Sequence, residues 1–138
     1  VMMISTKGRY ALRVMIDLAQ HQDDGFISLK EIARRQGISQ KYLEMIVACL
    51  NKAGLVLSQR GKEGGYRLSR QCDCFTVGEI IKLMEGSLAP VACLDSGAAP
   101  CLRAGDCLTL PMWRHLDTII DQYLSSITIQ DLIDGTVQ

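Results

Sequence analysis

SLKEIARRQGISQKYLEMIVACLNKAGLVLSQRGKEGGYRL, residues 28–68, changes its hydrophobic period twice and so decides the fold. Ser28 with Glu31 three residues later forms a capping box, and Leu29, Ile32 and Ala33 make an apolar stripe, which predicts a short helix ending at Gly37. Ser39 caps a second helix, whose Leu43, Ile46, Val47 and Leu50 fall at i, i+3, i+4 and i+7 before a stop at Gly54. Two short helices joined by so tight a turn read as a helix-turn-helix. The period then drops to two. Leu55–Leu57 is one strand, Tyr66 and Leu68 belong to another, and residues 60–65 form the glycine-rich turn between them. A helix-turn-helix followed at once by a hairpin with a basic tip is a winged helix, a far more specific pattern than either half alone.

Outward from this stretch, Ala11, Val14, Met15 and Leu18 predict an amphipathic helix over about Thr6–Gln20, with Lys7, Arg9 and Arg13 on its basic face. Thr76 and Glu79 cap a helix that carries Val77, Ile80, Ile81 and Met84 and ends at Gly86. Thr109 and Pro111 suit a helix start, and Trp113, Leu116, Ile120, Tyr123 and Ile127 recur at spacings of three and four, the a/d seam of a helix that pairs with its own copy. Thr128 and Asp131 open a short terminal helix. The expected fold is mostly α with a small β-hairpin wing: a winged helix-turn-helix domain over 1–86, a cysteine loop over 87–108, and a dimerisation helix with its terminal helix over 109–138.

The chain has 138 residues and no net formal charge. That balance conceals two unlike halves. Residues 1–70 hold twelve Lys and Arg against six Asp and Glu, and residues 71–138 hold three against nine, the asymmetry expected where one half meets a polyanion. Lys7, Arg9, Lys41, Arg60 and Lys62 are the expected phosphate contacts, giving an affinity that falls with salt. No apolar run is long enough for a membrane span and no signal-peptide pattern opens the chain, so a cytoplasmic protein is expected. An enzyme is disfavoured: there is no Ser/His/Asp order, no paired-carboxylate motif and no phosphate-cradling glycine loop before a helix.

Three of the six cysteines, Cys93, Cys101 and Cys107, lie in a loop punctuated by glycine and proline. In a reducing compartment such thiols point to metal binding or redox chemistry rather than a disulfide framework. Cys49 reads as a small core hydrophobe, Cys72 and Cys74 as structural or incidental thiols, and Asp95 and Asp106 as loop polars.

Ser5–Leu12 (STKGRYAL), Gly37–Glu44 (GISQKYLE), Arg60–Tyr66 (RGKEGGY) and Thr76–Ile81 (TVGEII), with the three-cysteine loop and the Trp-bearing helix, resemble the IscR/NsrR/CymR-type family of bacterial winged helix-turn-helix regulators. The resemblance covers nearly the whole chain. It implies a homodimer on an imperfect palindrome of double-stranded DNA, with Ser39, Lys41, Tyr42 and Glu44 on the recognition helix and Arg60 on the wing. In loop pattern it is closest to the branch whose members hold an iron-sulphur cluster on three loop cysteines, here Cys93, Cys101 and Cys107, with 2Fe-2S favoured over 4Fe-4S. It implies a transcriptional regulator, a repressor, whose operator binding the cluster modulates. The alternative is a cluster-free regulator of cysteine and sulphur metabolism, controlled by a partner protein or by thiol oxidation. Two positions depart from the pattern. Met45 replaces an amide side chain of the IscR-like branch, and Leu110 stands where that branch carries a histidine ligand, leaving a partner carboxylate, a small thiol or an open iron site to complete the sphere.

Overall fold

The computed structural model describes residues 4–95, 97–99 and 102–137. Helix α1 (Thr6–Gln20) begins where the Ser5 hydroxyl accepts from the Gly8 amide, and it buries Ala11, Val14, Met15 and Leu18 completely or nearly so. Helix α2 (Leu29–Gln36) is capped by Ser28, which accepts from the Glu31 amide at 3.2 Å, and it ends on Gly37 at φ +64°. That left-handed turn suits glycine and swings the chain into α3 (Gln40–Lys52), capped in its turn by Ser39 through the Tyr42 amide at 3.1 Å. Leu43, Ile46, Val47 and Leu50 of α3 face the same core as α1.

Strands β1 (Val56–Gln59) and β2 (Gly65–Leu68) pair antiparallel, with Val56 opposite Leu68 and Gln59 opposite Gly65. The wing is rooted on a third segment. The backbones of Ile27 and Tyr66 exchange two hydrogen bonds of 2.8 Å, tying β2 to the residue before the helix-turn-helix. A Cβ on Gly65 would stand 2.2 Å from the Ile27 carbonyl oxygen, so only glycine permits that approach.

Helix α4 (Val77–Glu85) lies against α1 with little space between them: a Cβ on Gly8 would sit 2.4 Å from a Glu85 carboxylate oxygen, which accepts from the Ser5 amide at 3.0 Å and the Ser5 hydroxyl at 2.6 Å. Helices α5 (Leu110–Ser125) and α6 (Ile129–Asp134) follow, the latter opened by a complete Thr128/Asp131 capping box. The chain between them runs beside the start of α4, with the Val77 amide donating to the Ile127 carbonyl at 2.8 Å and the Ile129 amide to the Phe75 carbonyl at 3.0 Å. Ile129 and Phe75 are both fully buried in the main core, so α6 packs with the winged domain. A smaller cluster of Val77, Ile81, Leu88 and Ile127, flanked by Ile120 and Leu124, seats α5 on α4.

Two residues of the expected a/d stripe are engaged within the chain itself. Ile127 lies beyond the end of α5 and is 8% exposed within the chain's own core, and Ile120 packs against the same cluster. The apolar residues of α5 that face outward are Met112, Ile119 and Tyr123, with Leu116 half-buried between them. They repeat at four, three and four, while α4 takes the Ile120 side of the helix.

Candidate nucleic-acid interface and thiol site

Because α3 buries Leu43, Ile46, Val47 and Leu50, its opposite face is fixed by the helical period, and Lys41, Glu44, Met45 and Ala48 are all exposed on it. Ser39 is exposed at its N-cap. Tyr42 is half-buried and turned toward α1, where its ring meets Tyr10 edge-on at 5.8 Å between centroids. Of the residues expected on the recognition helix, Ser39, Lys41 and Glu44 therefore share one open surface, while Tyr42 is partly spent on packing. Arg60 and Lys62 are exposed in the turn of the hairpin. On α1, Arg9 is exposed and held by the Thr6 hydroxyl at 3.2 Å, and Lys7 is half-buried.

Residues outside the recognition helix hold this surface in place. The Arg13 guanidinium lies 5.2 Å from the Tyr10 ring centroid, donates to the Gln36 side chain at 3.1 Å, and also bonds the Gln36 carbonyl. One basic residue thus ties α1 to the end of α2, close to the turn into α3. Beneath it, Asp17 is 1% exposed and accepts from Arg35 at 2.7 and 2.9 Å and from the Gln36 amide at 2.9 Å. Burial alone would push the Asp17 carboxyl up; the Arg35 and Gln36 bonds outweigh it and hold the group below its ordinary value. Nothing in the local pattern marks Asp17, whose side-chain hydrogen-bond donors, Arg35 and Gln36, lie on another helix.

The cysteine loop leaves α4 under restraint. The Ser87 hydroxyl donates to Asp95 at 2.9 Å and accepts from the Ala89 amide at 3.2 Å, and Leu88 and Ala89 are buried. Cys93 is exposed in a short 3-10 turn, Ala92–Leu94. Cys107 is half-buried just before α5, its sulphur 3.5 Å from the Thr109 hydroxyl. The Thr109 hydroxyl, with the backbone N–H groups of Thr109 and Leu110, holds the Cys107 thiol below its ordinary value, against desolvation and the charge of Asp106. Cys101 lies outside the described residues. Among the described residues no three His, Cys, Asp or Glu side chains are grouped as for a metal ion.

Two properties of the loop fit an iron-sulphur group: Cys93 is accessible, and Cys107 is poised toward the thiolate that such a group requires. Leu110 is 6% exposed and carries no donor, so the position is closed as a ligand by burial as well as by chemistry. The other thiols are different in kind. Cys72 is buried and donates to the Gln130 side chain at 2.8 Å, burial pushing its thiol up; Cys74 is exposed, and its bond to Asp73 raises it. Cys49 packs at the edge of the core. No helix among the described residues is long and apolar enough to cross a membrane.

Comparison with known proteins agrees with this geometry. The Rrf2 family, described as iron-dependent transcriptional regulator, matches residues 4–135. The HTH-type transcriptional regulator IscR of Photobacterium profundum is 41% identical over 138 residues, covering 99% of this chain and 79% of that protein. IscR of Yersinia pestis is 39% identical over 134 residues, covering 97% and 80%. Among solved structures, the global cysteine regulator CymR of B. subtilis superposes with a TM-score of 0.78 at 38% identity, covering 98% of each chain. T. potens IscR superposes with a TM-score of 0.76 at 38% identity, covering 98% of this chain and 88% of that one. A family match along almost the entire chain, relatives near 40% identity and a shared winged architecture lead to one conclusion: the chain belongs to the Rrf2 family of transcriptional regulators.

Proposed function

We propose that this transcriptional regulator is a homodimeric repressor whose grip on an imperfect DNA palindrome is set by an iron-sulphur cluster, 2Fe-2S, on Cys93, Cys101 and Cys107. The observation that carries the reading is the setting of Cys107, whose thiol is held down by the first residues of α5. A cluster, when bound, supplies iron–thiolate bonds that join separate points of one loop. Cys93 then restrains the limb anchored to α4 by Ser87, and Cys107 restrains the start of α5, so loop order passes to the two elements that set how winged domains sit in a dimer. Ser39, Lys41, Tyr42 and Glu44 face the major groove, Arg60 and Lys62 the minor groove, and Lys7 and Arg9 the phosphates. The outward stripe Met112, Leu116, Ile119 and Tyr123 supports pairing through α5. A tenfold change in operator affinity needs a difference of about 1.4 kcal/mol between the two loop states.

The test is anaerobic purification with a visible spectrum and iron and sulphide counts, repeated with Cys101→Ala. Colour lost in the variant, and unequal operator affinity of cluster-loaded and cluster-free protein, are expected. A spectrum unchanged by Cys101→Ala would remove the loop as the ligand set. A colourless protein that still binds DNA would favour the second reading, which the likeness to CymR supports: a cluster-free regulator controlled by a partner protein or by thiol oxidation.

A further inference from the structure

Met45 is 47% exposed on the outward face of α3, one turn beyond Lys41 and beside Glu44 and Ala48, which are also exposed. With Ser39, Lys41 and Tyr42 it borders an open hollow of about 350 Å³. Nothing within the chain requires an apolar side chain there, since the core of α3 is complete with Leu43, Ile46, Val47 and Leu50. Met45 is the one large apolar side chain exposed on a face it shares with Lys41, Glu44 and the small Ala48, and a thioether there has one apolar counterpart in the major groove, the 5-methyl group of thymine. We infer that Met45 is a specificity-determining residue, and that it packs its thioether on the 5-methyl of a thymine in each half-site. This rests on α3 being the recognition helix.

Deoxyuridine isolates the contact, because it lacks only that methyl and keeps every hydrogen-bonding edge. The full-length protein is first used to select duplexes from a random pool. Each thymine of the selected duplex is then replaced by deoxyuridine and affinity is read by fluorescence anisotropy. At one symmetric position the replacement should weaken binding about fourfold per half-site, the worth of one buried methyl group. Met45→Ala should bind the thymine duplex about as weakly as wild type binds the deoxyuridine duplex, and show no further loss on the latter; Met45→Leu should keep the difference. Thermal melting of both variants should match wild type, because the residue lies outside the core. If deoxyuridine is tolerated at every position, or if Met45→Ala retains the methyl effect, the inference is overturned while DNA reading by α3 stands. If no duplex is enriched, both fall.

Discussion

Asp17 sits buried on α1 with three donors from α2 on its two oxygens. Removing its charge leaves the Arg35 guanidinium, 23% exposed, with only the Glu31 carboxylate at 3.2 Å, and breaking a pair this enclosed costs about 3 kcal/mol. Asp17→Asn should therefore lower the melting temperature by roughly 10 °C in a calorimetric scan. The sign of its pH dependence follows from its depressed pKa. The stability Asp17 contributes is fully present above the unfolded-state value near pH ~4 and is lost as pH falls through the folded-state value. The acid limb of the stability curve should accordingly be shallower in Asp17→Asn. A second residue-scale contrast concerns thiols. Thiolate is the reactive form, so in cluster-free protein at neutral pH Cys107 should be alkylated by iodoacetamide well before buried Cys72, as read by peptide mass spectrometry. Equal rates would contradict the role given to Thr109 and the α5 amides.

At the scale of elements, the wing is a two-stranded hairpin that would be marginal alone, and its attachment to Ile27 gives it a third backbone partner. The tip carrying Arg60 and Lys62 thus belongs to a rooted hairpin, while Arg103 lies in the cysteine loop, part of neither the hairpin nor α3. Arg60→Ala should weaken operator binding by about tenfold and flatten its salt dependence, whereas Arg103→Ala should leave both nearly unchanged in a mobility-shift titration. Comparable losses would count against the wing as a DNA contact. The same reasoning gives Gly65 its place: a side chain there would collide with the Ile27 carbonyl and detach the wing from its root.

For the whole molecule, α5 has two apolar sides with different destinations. Ile120 and Leu124 join the cluster on α4, and Met112, Ile119 and Tyr123 face outward at 54%, 46% and 50% exposure. Ile119→Glu is expected to yield a folded monomer in sedimentation, with operator affinity reduced as a palindrome loses its second half-site. Ile120→Glu, one residue away, is expected to lower thermal stability instead, because it places a carboxylate against Val77, Ile81 and Leu88. The reverse pattern would restore the seam read from the sequence.

Local patterns determined a great deal of this protein. Capping residues Ser28, Ser39, Thr76 and Thr128, stop glycines Gly37 and Gly86, and the switch of period at Leu55 place the helices and the hairpin, because each depends on hydrogen bonds and side-chain spacing within a few residues. The exposed face of α3 was legible for the same reason, as the complement of its buried stripe. What only the tertiary structure decided depends on partners distant in the chain. Asp17 meets Arg35, Glu85 meets Ser5, and Thr128 lies beside Thr76, and no periodicity encodes such meetings. Helix α5 shows the limit most plainly: a three-four spacing does not say which of its residues a neighbouring helix takes, and the contact with α4 partly buries Ile120. The thiols divide likewise. Their number and loop setting were written in the sequence, but that Cys107 stands where the Thr109 hydroxyl and two amides favour its thiolate is a matter of how the loop enters α5.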